Sequence, residues 1–263
     1  MKKRLCFAAP LLAFMPLLSA PAGAALAASS SKVAATPDFL QTDPKAGFAS
    51  AGAQFCAPTA VSNSLTWLGT HGYPALLPQG SNLHNVQANL IRLLGSASFT
   101  NTDPASGTGP AQLMRGVGQY VQKAGYGISE LSYEGWRAVP AAQRVSMTPD
   151  LDNIRDVIDD DAGAVWLNVG WYRYDENDDT YERSSGHWVT VVGYGGDDLL
   201  IHDPATSVGR TERATVTPLA SGSLVGQEAN LPRAAEEYYE LGGSLARENW
   251  VAILDGAVFL LLD

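Results

Sequence analysis

The stretch Gln54-Phe55-Cys56-Ala57-Pro58-Thr59-Ala60-Val61-Ser62-Asn63-Ser64-Leu65-Thr66-Trp67-Leu68 reads as a loop running into a helix. Ala57, Ala60, Val61, Ser64, Leu65 and Leu68 recur at three- and four-residue spacing, the mark of one buried helix face. Pro58 fits in the first turn, where its missing N–H is not needed, and Gly69 supplies a stop. Cys56 then stands where unpaired helix N–H groups and the positive end of the helix dipole converge. Such a setting favours a thiolate over a thiol. The plainer alternative is a small buried apolar thiol. What decides between them lies further along the chain.

Residues 1–27 read as a targeting segment. Lys2, Lys3 and Arg4 form a positive start, Leu5 to Leu18 is an apolar run broken by two prolines, and Ala-x-Ala cleavage options end at Ala24 or Ala27. The apolar run is too short and too proline-broken for a stable membrane span. Cys6 leaves with this segment, so the mature chain has one cysteine and no internal disulfide. An unpaired thiol is a liability in an oxidising exported setting, which favours a use for it. Periplasmic or extracellular localisation is expected. Residues 1–27 carry three basic groups and no acid, so their removal takes the formal net charge from −10 to −13. Binding of nucleic acid or anionic membrane by charge is not expected. Four histidines without ligand spacing give no zinc site, and no metal or other cofactor is expected. Oligomeric state is not legible.

Residues 28–37 are Ala- and Ser-rich and are expected to be a disordered lead-in. Residues 38–263 are expected to form a single domain with two lobes. Helices are expected at 57–68, 85–94, 110–124 and 152–160, and Ala162 to Trp171 reads as a strand. Asp175 to Asp179 resembles a calcium loop but lacks its defining glycine and terminal glutamate, and reads as a solvated hairpin tip. His187–Tyr194 and Leu199–Asp203 are two strands joined by Gly195-Gly196-Asp197-Asp198. Arg210–Thr217 is expected as a strand, 218–232 as loop, 234–239 as a short helix and 250–262 as a core strand pair.

His187 opens an apolar strand and Asp203 closes the next. A cysteine nucleophile needs a base to take its proton, and the base needs an acceptor to fix its tautomer. If Tyr194 pairs with Asp198 across a three-residue turn, Asp203 pairs with Val189 and lies diagonal to His187 on one face. A two-residue turn would place them on opposite faces. Such an acceptor is expected to hold the Nδ1–H of His187.

Gln-x-Cys-Ala-Pro-Thr-Ala at a helix start, Gly-His-Trp-Val-x-Val-Val-Gly-Tyr on a strand and a following Asp-Pro resemble papain-like cysteine peptidases. The nearest branch is the bacteriocin-leader-processing peptidases and their exported relatives. His187 and Asp203 lie 131 and 147 residues after Cys56, in keeping with the spacing of papain relatives. The resemblance covers roughly residues 38–206. It implies an α+β papain-like fold in which an N-terminal helical lobe, carrying the cysteine helix, packs on a C-terminal antiparallel sheet carrying His and Asp. It also implies Cys56 as nucleophile, His187 as general base and acid, and Asp203 as the orienting carboxylate.

The family's oxyanion glutamine stands six residues before the cysteine, where this chain has Ser50. Gln54 is the nearest substitute and Gln41 a more distant one. The more usual glycine after the nucleophile is replaced by Ala57. Trp188, with Trp171 and Tyr172, is a candidate cleft residue. The implied function is an exported thiol hydrolase of peptide or amide bonds with a peptide or protein substrate. The alternatives are a catalytically weak or inactive peptide-binding module, or an acyl transferase or ligase using the same triad.

Overall fold

The computed structural model describes residues 30–206, 209–226 and 229–263. The targeting segment expected over residues 1–27, with Cys6, lies outside them. The chain order is helix α1 (Ser30–Ala35), α2 (Cys56–Thr70), α3 (Leu83–Gly95) and α4 (Pro110–Lys123), then strands β1 (Ile128–Gly135) and β2 (Arg144–Ser146). Helix α5 (Leu151–Asp159) leads into β3 (Gly163–Asp175), β4 (Thr180–Gly195), β5 (Asp198–His202), β6 (Glu212–Ala214), β7 (Val216–Pro218), β8 (Ser223–Gly226), β9 (Ala229–Ala234), β10 (Tyr239–Leu241) and β11 (Val251–Leu262). The main sheet runs β2-β1-β11-β3-β4-β5-β6. Most pairs are antiparallel, but β1 with β2 and β4 with β8 run parallel, so the expected antiparallel sheet is a mixed one.

The two faces of the sheet carry separate cores. Trp166, Trp188, Val258 and Leu260 meet residues of α2, α3 and α4, whereas Val165, Leu167, Val189 and Phe259 meet Ile154, Val157 and Ile158 of α5. The cysteine helix is the centre of the first core. Residues 57 to 69 are all buried, where one buried face was expected. Gly69 is not the stop: it lies inside the helix, and a Cβ there would meet Leu77 Cγ at 2.4 Å. A helix covered all round takes polar residues only where they find partners. Asn63 Oδ1 accepts from the Phe39 amide at 3.2 Å and from Gln87 Nε2 at 2.8 Å, and its Nδ2 donates to Thr190 Oγ1 at 3.3 Å. Thr190 Oγ1 in turn donates to the Ala60 carbonyl at 2.8 Å. These bonds lock α2 to α3 and to β4.

The hairpin β4–β5 corrects one premise of the sequence reading. Gly195 pairs with Asp198, so the turn has two residues, Gly196 and Asp197. Gly196 takes φ +64°, as the first position of a type II′ turn requires. The register then shifts by one between Val191 and Gly193, because Val192 is an extra residue on β4. Thr190 consequently pairs with His202, and the strand ends reach the register that a three-residue turn would have given. A bulge performs what the turn was expected to do.

Other expectations are also revised. The expected disordered lead-in contains α1, anchored by the buried Lys32, whose Nζ donates to the carbonyls of Ile158, Asp160 and Gly163. Residues 218–232 contain β8 and β9, and 210–217 is two short strands. Only a 3₁₀ turn, Ala235–Glu237, stands in the expected helix. Residues 251–262 form one strand, with Asp255 as an extra residue between Leu254 and Gly256 against β3. Among the described residues no helix is long and apolar enough to cross a membrane.

Asn63→Leu leaves the Phe39 amide, the Gln87 carboxamide and the Thr190 hydroxyl each short of a partner. The expected loss is about 3 kcal/mol of unfolding free energy, read from the urea midpoint at constant m. A loss under about 1 kcal/mol would show that α2 does not depend on this network.

Candidate active site

Cys56 is the first residue of α2 and is half-buried. His187 lies on β4 where the strand leaves the core, and its side chain is 6% exposed. Asp203, just past β5, is equally buried, and its Oδ1 stands 2.5 Å from His187 Nε2. The acceptor is therefore at Nε2, not at Nδ1 as expected, which leaves Nδ1 as the ring nitrogen for Cys56. The Cys56 thiol lies close enough to the imidazole to favour its charged form. Asp203 Oδ1 also accepts from the Ala205 amide at 2.8 Å, a turn contact that fixes the carboxylate.

Burial opposes a charge on His187, but the bonds to Asp203 and to Cys56 outweigh it and push the imidazolium up to about 10. Burial likewise works against the Asp203 carboxylate. The hydrogen bond and charge of His187, the Ala205 amide and the Arg247 charge together hold it below its ordinary range. The raised His187 contributes stability that is complete below its ordinary value of 6.5 and fades as pH rises through about 10. The lowered Asp203 contributes above its ordinary 3.8 and fades as pH falls below it. Both contributions are complete together between pH 3.8 and 6.5, and the His187 share fades above that.

Trp171 covers the pair from one side. Its ring lies 5.6 Å from that of His187 at 30°, its Nε1 donates to the Leu245 carbonyl at 3.2 Å, and the Arg247 guanidinium sits 3.2 Å above its centroid. On the open side lies a cavity of about 190 Å³. Gln54, Cys56, Gly109, Asn168, His187 and Trp188 are among the residues that line it. Gln54 points along the loop before α4, with its Oε1 3.2 Å from where a Cβ on Gly107 would stand. Trp188 borders the cavity but is 2% exposed, and its indole N–H holds the Thr108 carbonyl at 2.8 Å, fixing the opposite wall.

Gln41 is elsewhere. It is buried and its Nε2 donates to the carbonyls of Gly52 and Ala53 at 3.0 and 3.1 Å. Its amide donates to the Pro204 carbonyl at 2.8 Å, so it ties the Asp203 turn to the approach to Cys56. Ser50 is exposed in the kinked turn before Gly52. The structure thus brings Cys56, His187, Asp203, Gln54 and Trp188 to one place and leaves Gln41 behind it.

The Peptidase_C39 like family model matches residues 36–223. The chain belongs to this family. Its kinship with papain-like cysteine peptidases is thereby shown, at the level of a cysteine peptidase-like hydrolase and a mixed α+β fold. No curated protein matches the chain. The sequence reading passed over Arg247, Arg137, Arg183 and Asn168 near the site. Arg183 and Asn168 sit four and nineteen residues before His187, but no local pattern says that bulged strands turn them towards the cleft.

Asp203→Asn retains an acceptor for His187 but loses the charge. The His187 titration, followed by NMR of the ring, is expected to fall by about 1–3 pH units. The alkaline limb of Cys56 alkylation by iodoacetamide should move down with it. An unmoved titration would mean that the carboxylate does not hold the imidazolium.

Proposed function

We propose that the protein is an exported thiol hydrolase that cleaves peptide or amide bonds through a covalent acyl-enzyme. The observation that supports this best is the buried His187–Asp203 pair, with Cys56 and His187 lining one cavity. Cys56 gives its proton to His187 and attacks the substrate carbonyl as a thiolate. The oxyanion that forms is met by the Cys56 backbone N–H and the Gln54 carboxamide. His187 then donates the proton to the departing amine as the C–N bond breaks, leaving a thioester on Cys56. A water molecule attacks the thioester, giving its proton to His187, and the released Cys56 thiolate regains the imidazolium partner. Asp203 keeps the ring in plane throughout, without becoming protonated.

Three measurements test this. Wild-type Cys56 is expected to react with iodoacetamide at pH 6 much faster than free cysteine. Slow labelling would instead favour a peptide-binding module that has lost turnover. Cys56→Ser is expected to abolish hydrolysis with the melting temperature within a few degrees of wild type, because the change is nearly isosteric. Gln54→Ala is expected to lower turnover by roughly 10²–10³, whereas Gln41→Ala acts by loosening the turn before Cys56 and shows first in stability. Turnover lost in Gln41→Ala with unaltered stability, and kept in Gln54→Ala, would reverse the assignment.

A further inference from the structure

Two further buried acids stand at the Asp203 turn, and the thiol chemistry leaves both unused. Asp38 is 5% exposed and Glu212 4%. Asp38 Oδ2 accepts from the Arg210 amide at 3.1 Å, and Glu212 Oε1 accepts from the Thr206 hydroxyl at 2.8 Å. The other oxygen of each, Asp38 Oδ1 and Glu212 Oε2, is buried with no donor among the described residues. An ionised carboxylate in that state is unfavourable, and a second negative charge nearby makes it more so.

The groups around the two acids do not offset two charges. The Arg210 guanidinium reaches Glu212 Oε1 at 3.3 Å, but its side chain is 72% exposed, so water screens it. His202 ends β5, with Nδ1 3.1 Å from the Pro37 carbonyl and Nε2 3.1 Å from Thr211 Oγ1. Nδ1 faces a carbonyl and so carries the hydrogen, and Nε2 can accept from the hydroxyl. Burial holds the His202 ring below its usual range, so it supplies no positive charge. Asp203 is a third negative group, itself engaged with His187 and Arg247. Burial, with the charges of Glu212 and Asp203 adding to it, pushes the Asp38 carboxyl up to about 6 against the amides of Arg210 and Gly209.

Both acids are tied to the turn that seats Asp203. The Pro37 carbonyl, next to Asp38, holds His202, next to Asp203. The Gln41 amide holds the Pro204 carbonyl. Thr206 links Glu212 to the same turn. Its one hydroxyl hydrogen has two acceptors, Glu212 Oε1 at 2.8 Å and the Asp203 carbonyl at 3.2 Å. An ionised Glu212 takes that hydrogen, because a charged acceptor outcompetes a carbonyl. A protonated Glu212 leaves it to the Asp203 carbonyl, and the turn closes.

We propose that Asp38 and Glu212 are positioning residues for Asp203, which together take up one proton from water in a weakly acidic medium and so tighten its turn. At higher pH the second charge pushes the 37–41 segment and β6 apart and slackens the hold on Asp203. As positioning residues the two acids rest on the reading of Cys56, His187 and Asp203 as the reacting groups; as a proton-binding pair they do not.

Asp38→Asn and Glu212→Gln, each in the full chain, are nearly isosteric and remove one charge. A carboxyl raised from its ordinary 3.8 contributes stability that is complete below that value and is lost as pH rises through about 6. Relative to wild type, the unfolding constant of Asp38→Asn, from urea titration, is therefore expected to fall about tenfold between about pH 5 and pH 7.5. The His187 ring signal, followed by NMR, is expected to pass an inflection near pH 6 in wild type. Asp38→Asn should lose that inflection, and Glu212→Gln should move it to lower pH. A ratio of unfolding constants that is flat with pH overturns the proposal. So does a wild-type His187 signal without the inflection, or an inflection that Asp38→Asn keeps or Glu212→Gln leaves in place, because a merely structural pair would behave so. Failure of the catalytic reading looks different: the inflection and its loss stand, while wild-type Cys56 reacts with iodoacetamide no faster than free cysteine.

Discussion

A helix buried on every side cannot slide or roll without opening the core, and α2 is such a helix. Its covering is also polar where it matters. Asn63 and Ala60 are bonded to Thr190 of β4, three residues from His187 along the same strand. The position of the thiol relative to the imidazole is therefore set by interior hydrogen bonds well away from solvent. Groups held this way lose little further freedom when a substrate arrives, which is the condition for geometric catalysis.

The same rigidity is continued on the other side of the imidazole. Gln41 joins the Asp203 turn to the segment entering α2 through its amide and its carboxamide. Gly52 is required there, because it takes φ +78° and a Cβ would come within 1.7 Å of the Gln41 carbonyl oxygen. Trp171 and Arg247 close the flank of the His187–Asp203 bond against water, and a charged hydrogen bond is stronger where water is excluded. Bulges recur around the site, at Val192, Ser184 and Asp255. Each shifts one side chain by a face without altering the length of the strand pair.

Much of this was legible in the sequence and some was not, for physical reasons. Helix periodicity marked α4, and the Cys, His and Asp-Pro motifs marked the residues that meet. What failed was inference about register and burial. Period and propensity describe one chain segment at a time, so they gave α2 one buried face, whereas α3, α4 and the sheet cover it completely. The β4–β5 turn was read one residue too long because an inserted Val192 in an apolar run looks like any other core valine. Lys32 was placed in a disordered segment since a lysine among alanines and serines carries no sign of the three carbonyls it meets. Arg137 and Arg183 were missed because their placement depends on Asp255, which is 72 residues from the nearer of the two.

The order of strands has a consequence for how the chain reaches this state. β11 lies between β1 and β3, yet it follows every other described strand in sequence and falls outside the span that matches the family. Until residues 251–262 emerge, β1 and β3 face each other across an unfilled gap, with apolar edges unpaired. Pairings between segments so distant in sequence are slow to form and expose strand edges in the meantime. Asp255 arrives with that strand, so Arg137 and Arg183 gain this anchor only once residues 251–262 are made. A nascent chain therefore carries the thiol and the imidazole well before it carries the strand that closes the sheet, and assembly of the site is coupled to the arrival of β11.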